Sequence, residues 1–192
     1  MYSLPYLVLW LLALAYTVDP LLTSGVCHSI EIRNKPEKLD ALRGCNVVEG
    51  HVRIVLMEKN KEEDFEKHSL PELREITDYL MLYRVHGLRN IGQILPNLTL
   101  IRGETLFMDY ALIVFQMFHL QEVGLTSLVD ISRGAVEIAN NPSLCYVQTI
   151  SWDHIARWDT SKNYVAKNKD PADCPGCDDE CPQGWCWSRD QC

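Results

Sequence analysis

Apolar and polar positions along this chain fall into short extended runs that break at recurring corners. The stretch Leu98–Met117, LTLIRGETLFMDYALIVFQM, shows the unit most clearly: a short run, a Gly corner, then further extended residues. Val48-Glu49-Gly50-His51-Val52-Arg53-Ile54, Thr77-Asp78-Tyr79-Leu80-Met81-Leu82, Arg102-Gly103-Glu104-Thr105-Leu106-Phe107 and Arg133-Gly134-Ala135-Val136-Glu137-Ile138 align on the corner. The corners fall at 50, 78, 103 and 134, at intervals of 28, 25 and 31. A period of roughly 20 to 50 residues denotes stacked supersecondary units that bury a continuous core only together.

Successive strand residues point to opposite sides, so each corner sets the facing of the strand residues after it. The alternation predicts Val52, Ile54, Leu80, Leu82, Thr105, Phe107, Val136 and Ile138 inside the coil. It predicts Arg53, Val55, Met81, Tyr83, Leu106, Met108, Glu137 and Ala139 outside. In the middle two coils that outer face is apolar, as an interaction site on a soluble protein is. The alternative is that another layer of the same chain covers it.

The connecting segments carry a second echo, Leu-Pro-x-Leu at Leu70–Leu73 and again at Leu95–Leu98. Asn97-Leu98-Thr99 is a sequon for N-glycosylation at a turn. The charged stretch Glu58–Ser69 reads as a solvated loop with one apolar residue, Phe65. Pro36–Leu42 fits a helical turn, and Ser151–Trp158 a short helix whose Trp152 and Ile155 close the far end of the coil.

Composition narrows the class. The 192 residues suit one domain plus a small appendage, and a formal charge of −8 argues against nucleic acid as a partner. An apolar run from Leu7 to Ala15 reads as a secretory leader, with cleavage expected between residues 15 and 25. It is shorter than the ~20 residues a spanning helix needs, so no membrane insertion is expected. Eight cysteines suit an oxidising compartment, and the crowding of Cys174, Cys177, Cys181, Cys186 and Cys192 places a boundary near Pro171. Cys174-Pro175-Gly176-Cys177 is open to redox or zinc chemistry, but three neighbouring cysteines and a leader favour structural disulfides. The six histidines show no metalloprotease spacing, there is no G-x-S-x-G and no phosphate loop, and no cofactor or metal is expected. A coil-shaped carbohydrate-active enzyme is the rival class; it would need clustered acids and bases on the outer strands.

Glu31-Ile32-Arg33-Asn34, Val48-Glu49-Gly50-His51, Ile76-Thr77-Asp78-Tyr79-Leu80, Pro96-Asn97-Leu98-Thr99 with Ile101-Arg102-Gly103, and Ile131-Ser132-Arg133-Gly134 carry a resemblance that runs from Cys27 to Cys192. Through them the chain closely resembles the first ligand-binding (L) domain of the insulin and insulin-like growth factor receptors. The resemblance implies a mainly β fold: a right-handed parallel β-helix, or leucine-rich-repeat-like solenoid, over residues 26–172 after a leader over 1–25. It further implies the start of a furin-like Cys-rich region over 173–192, with disulfides Cys27–Cys45, Cys145–Cys174, Cys177–Cys186 and Cys181–Cys192. In that family hormone and a helix from the receptor's own C-terminal segment bind the outer face of the central sheet. Carried over by position, the site is Arg33, Asn34, Val55, Leu56, Phe65, Met81, Tyr83, Leu106, Phe107, Met108 and Asp109. The chain departs from the receptors at Glu58, Gln116 and Ala139. The implied function is a secreted ectodomain that binds an insulin-like peptide, as decoy, carrier or part of a receptor tyrosine kinase, and is itself no enzyme. An extracellular adhesion module without hormone binding is the second reading.

Overall fold

Residues 25–192 are described by a computed structural model; the leader expected over 1–25 lies, apart from Gly25, outside the described residues. The strands are β1 (Val26–Arg33), β2 (Val47–Met57), β3 (Glu75–Ile76), β4 (Leu80–Val85), β5 (Leu100–Ile101), β6 (Tyr110–Phe115), β7 (Asp130–Ile131), β8 (Ala135–Ala139) and β9 (Tyr164–Ala166). Every pairing between them is parallel. The long strand β2 belongs to two ladders. Its first half pairs with β3, which continues to β5 and β7; its second half pairs with β4, which continues to β6, β8 and β9.

Between the halves stands Gly50, at φ +122. A Cβ there would lie 1.9 Å from Ser29 Oγ, the atom that accepts a hydrogen bond from the His51 N–H at 3.1 Å. Glycine is the residue that reaches this backbone region without strain. Gly103 and Gly134 turn later coils at φ +71 and +91, so three of the four expected corners are left-handed glycines. At the remaining one, Asp78 Oδ1 accepts the Thr105 N–H at 3.0 Å.

The wide ladder aligns side chains in columns. Ile30, Val52, Leu80, Leu112 and Val136 form one inner column, and Ile32, Ile54, Leu82, Val114, Ile138 and Val165 the next. From Ile32 to Ile138 these side chains are buried, in one cluster with Val48, Ile76, Ile101 and Ile131 of the narrow ladder. Each contributes about 1.5 to 3 kcal/mol by leaving water.

The third coil departs from the expected register. Thr105 and Phe107 are not inside, and Leu106 and Met108 are not outward strand residues. After Gly103 the chain makes a loop over 104–109, pinched by paired hydrogen bonds between Phe107 and Tyr110, and the strand starts only at Tyr110. Leu106 packs toward the main core, Phe107 lies on the outer side, and the inner places belong to Leu112 and Val114. The cause is an insertion between corner and strand, hidden because Tyr110–Phe115 is apolar throughout and carries no alternation.

A second corner repeats where the wide ladder ends. Asn34, Leu56, Arg84, Gln116, Asn140 and Lys167 all have φ between +50 and +69, each one residue past its strand's last aligned outward side chain. The left-handed conformation turns the chain away from the sheet at the same level in each coil. Asparagine tolerates it well; the other side chains raise the energy by roughly 1 to 2 kcal/mol apiece. Beyond it lies fully buried Asn141. Its Oδ1 accepts the Met117 N–H at 2.8 Å and its Nδ2 donates to the Val114 carbonyl at 3.0 Å. Asn168 repeats the device, donating to the Ile138 carbonyl at 2.8 Å.

The ends are closed by side chains. Disulfide Cys27–Cys45 brackets β1 and a 3-10 turn, Pro36–Leu42, that buries Pro36, Leu39 and Leu42. At the other end the helix is a single turn, α1 (Trp152–Ile155), shorter than the sequence pattern suggests. Trp152 donates its indole N–H to the Val147 carbonyl at 2.8 Å and meets Trp187 edge-on at 5.7 Å. Disulfides Cys145–Cys174, Cys177–Cys186 and Cys181–Cys192 hold the C-terminal segment, and no cysteine is free. Among the described residues no helix is long and apolar enough to cross a membrane.

The second corner generates a stability test. Lys167 is exposed and left-handed. Lys167→Val should lower the unfolding free energy by about 1 to 2 kcal/mol, because a β-branched residue resists positive φ, while Lys167→Gly should leave it within about 0.5 kcal/mol. Urea titration under non-reducing conditions measures both. A valine variant as stable as the wild type would show that the corner does not impose the conformation.

Candidate ligand-binding face

The columns that point outward on the wide ladder build the candidate site. One runs Glu31, Arg53, Met81, Ile113, Glu137, Tyr164; the next runs Arg33, Val55, Tyr83, Phe115, Ala139, Ala166. Their middle is apolar and packs upon itself as a cluster separate from the main core. Val55, Met81 and Ile113 are 2, 6 and 3% exposed, so they form a floor that water scarcely reaches. Half-buried Leu56, Tyr83, Phe107, Tyr110 and Phe115 form its rim, with Tyr79 beside them. The covering-layer alternative thus holds in a limited sense: the loop over 104–109 supplies Phe107 as one wall, and the face stays open elsewhere.

Stacking orders the rim. His51 lies on Tyr79 at 4.9 Å, Tyr79 meets Phe107 at 5.9 Å, and Tyr83 stacks with Phe115 at 6.0 Å. The Arg84 guanidinium sits 5.3 Å from the Tyr83 ring centre, and its Nε donates to Gln116 Oε1 at 2.8 Å. Two left-handed corner residues thereby tie neighbouring coils along the rim. Burial raises the Tyr79 and Tyr110 hydroxyl pKa values, so both stay protonated at neutral pH.

Charge borders the apolar centre unequally. On the β1 side Glu31 is ion-paired with Arg33, and with Arg53 at 2.8 Å. The hydrogen bond from Arg33, aided by the charges of Arg53 and Arg33 against partial desolvation, holds Glu31 below the usual carboxylate range. On the β8 side Glu137 has no ion pair among the described residues, and burial alone pushes its pKa above the ordinary 4.5. The two carboxylates are four strand spacings apart, on the order of 19 Å at ~4.8 Å per strand. Glycoside hydrolysis needs a pair roughly 5 to 9.5 Å apart. No group of three or more His, Cys, Asp or Glu among the described residues is placed to hold a metal ion.

Of the residues expected at the site, Arg33, Val55, Leu56, Met81, Tyr83 and Phe107 come together on this face, with Asn34 at its left-handed corner. Met108 is 80% exposed at φ +57 on the adjoining loop, and Asp109 beside it is paired with Lys162 at 3.3 Å. Phe65 is a correction: the 3-10 turn Glu62–Asp64 folds it into the main core with no exposed surface, so it cannot touch a ligand on the outer face. Leu106 is a second, since it turns to the core. Val55 and Met81 belong to the site as floor rather than as the free apolar surface expected. Tyr79, Tyr110, Ile113 and Phe115 escape the sequence pattern; for Ile113 and Phe115 the signal is register against Met81 and Tyr83 of β4, which a wholly apolar strand hides.

The family model of the receptor L domain matches residues 44–156, the span from β2 through β8 to the single-turn helix. The chain belongs to the receptor L domain family. The Branchiostoma lanceolatum insulin-like peptide receptor is 42% identical to this L domain over 174 residues, covering 87% of the chain and 13% of the relative. The putative molluscan insulin-related peptide(s) receptor of Lymnaea stagnalis is 44% identical over 171 residues, 88% of the chain and 10% of the relative. The Xenopus laevis insulin receptor is 44% identical over 157 residues, 82% of the chain and 11% of the relative. The L domain chain thus spans about a tenth of the length of the curated relatives it matches.

Glu137 gives the face a pH signature. Its folded pKa is raised, so the folded state favours the protonated acid. That contribution is present below the ordinary carboxyl pKa and is lost as pH rises through the folded value, leaving a destabilising charge at neutrality. Glu137→Gln should therefore raise the urea midpoint at pH 7 and leave it unchanged near pH 4, where the wild-type acid is protonated as well. An equal shift at both pH values would attribute the effect to packing instead of charge.

Proposed function

We propose that this L domain is an extracellular module that binds a peptide hormone of the insulin class on the outer face of β2, β4 and β6. The observation that carries the reading is the closed apolar floor of Val55, Met81 and Ile113, ringed by half-exposed Tyr83, Phe107 and Phe115. An enclosed floor under an aromatic rim suits a partner that lays down a side-chain ridge. A helix about 10 Å across covers roughly two strand spacings, the width of β4 and β6, so an amphipathic helix fits this face. The relatives support a peptide partner, since two of them are named as receptors for insulin-like or insulin-related peptides, the second putatively. Four disulfides fit an oxidising setting outside the cell.

Binding by the L domain alone should be weak. The floor is already dry in the free protein, so a ligand gains chiefly from the rim and Met108, on the order of 5 kcal/mol for a few part-exposed side chains. Association itself costs roughly 4 to 15 kcal/mol. Apolar burial alone therefore leaves little surplus, so polar contacts must supply most of the micromolar or weaker affinity expected, and a second helix bound beside the hormone, such as a receptor C-terminal segment, should tighten it.

The test uses substitutions that spare the floor. Titration with insulin should show Tyr83→Ala and Phe115→Ala each weakening binding about tenfold. Met108→Asp should weaken binding and leave stability untouched, because that side chain is 80% exposed. Val129→Asp, on the narrow ladder's side and 68% exposed, serves as the control and should bind normally. Normal binding by the Tyr83 and Met108 variants, or loss of binding in the Val129 variant, would place the ligand elsewhere.

A further inference from the structure

Among the described residues, the outer columns carry one carboxylate with no cation partner. Glu137 stands in register between Ile113 and Tyr164, with small Ala139 two residues along the same strand face. It is half-buried. Its carboxylate makes no hydrogen bond or ion pair among the described residues, unlike Glu31 at the other side of the face, which is held by Arg33 and Arg53. The nearby cation Lys162 is engaged with Asp109 at 3.3 Å and Asp159 at 3.9 Å. The groups that border Glu137 are apolar or phenolic: Ile113 on one strand, Tyr164 on the other, and Tyr110, whose hydroxyl feels the carboxylate's charge. Placing a carboxylate among such groups without a partner disfavours its ionised form, as burial does here.

We propose that Glu137 is a specificity-determining residue of the outer face and accepts a lysine or arginine side chain from the peptide ligand. The proposal rests on the outer-face reading and adds to it the chemistry the partner must offer: an apolar ridge for the Tyr83–Phe115 rim, flanked on the β8 side by a basic group. Ala166, part-exposed at the β9 end of the second outward column, adds little bulk on that side of Glu137, whereas Ala139 is already covered. A charge-assisted pair formed away from bulk water is stronger than a neutral hydrogen bond, and it would relieve a carboxylate that the free protein leaves unpaired.

The experiment is a cycle with insulin as the probe, titrated against wild type, Glu137→Gln, Glu137→Lys and Tyr83→Ala, each checked for folding by circular dichroism. It is repeated with insulin whose lysine amines are acetylated and whose arginines are capped by a 1,2-dicarbonyl reagent. Glu137→Gln should weaken binding about tenfold, Glu137→Lys should weaken it further, and capping should weaken wild-type binding while leaving the Gln variant little changed. If Tyr83→Ala weakens binding but both Glu137 variants bind like the wild type, the assignment of Glu137 is overturned and the outer-face reading stands. An equal effect of capping on wild type and Gln variant would also overturn it, because the basic group would then act elsewhere. If the Tyr83 variant also binds normally, or the wild type shows no saturable binding up to millimolar insulin, both readings fall together.

Discussion

The structure depends on each coil returning its strand residues to the same two inner columns. A one-residue slip in any coil would exchange inside for outside along that strand, sending Leu80 and Leu82 into water and Met81 and Tyr83 into the core. Two sets of left-handed residues guard against the slip. Gly50 and Gly134 set the level at which their coils enter the wide ladder, Gly103 turns the third coil into its loop, and Asn34 to Lys167 set the level at which the coils leave. The asparagines beyond the second corner, Asn141 and Asn168, hold carbonyls of neighbouring strands, which fixes the exit in polar as well as steric terms.

The outward columns inherit that order. Because the inner residues are aligned, Val55, Met81 and Ile113 are aligned too, and an apolar floor results without any helix or second sheet to cover it. Stacked aromatics shield the floor from its sides, so the free face is apolar yet nearly closed to water at its centre. The same geometry leaves Glu137 at the margin with no cation partner among the described residues, while Glu31 at the opposite margin is paired with Arg33 and Arg53. Asymmetry of charge across a symmetric ladder gives the face a direction in which a ligand can lie.

Much of this is legible in the residues, and the failures have physical causes. Glycine at 50, 103 and 134 marks the first corner because few residues tolerate those angles, and inner residues two and four places later result for coils one, two and four. The second corner is silent in the sequence: only Asn34 and Asn140 of its six residues favour positive φ, while Leu56, Arg84, Gln116 and Lys167 are forced into it by the fold. Counting from the corner starts strand β6 too early because Tyr110 to Phe115 is apolar on both faces, so alternation, the signal that sets the other strands, is missing there. Phe65 illustrates a different limit, since a lone aromatic in a charged loop reads equally well as a contact for a ligand or for the core; the packed structure places it in the core.

Hydrogen exchange with and without an insulin-family peptide, at saturating concentration, tests the central claim most directly. The loop over 104–109 and the rim segments Leu80–Val85 and Tyr110–Phe115 lie under the proposed ligand. Their amides should exchange more slowly in the complex, while Leu100–Ile101 and Asp130–Ile131 of the narrow ladder keep their free rates. Protection that spares residues 80–85 and 104–115 and gathers on the narrow ladder or the Cys-rich segment would contradict the outer face as the binding surface.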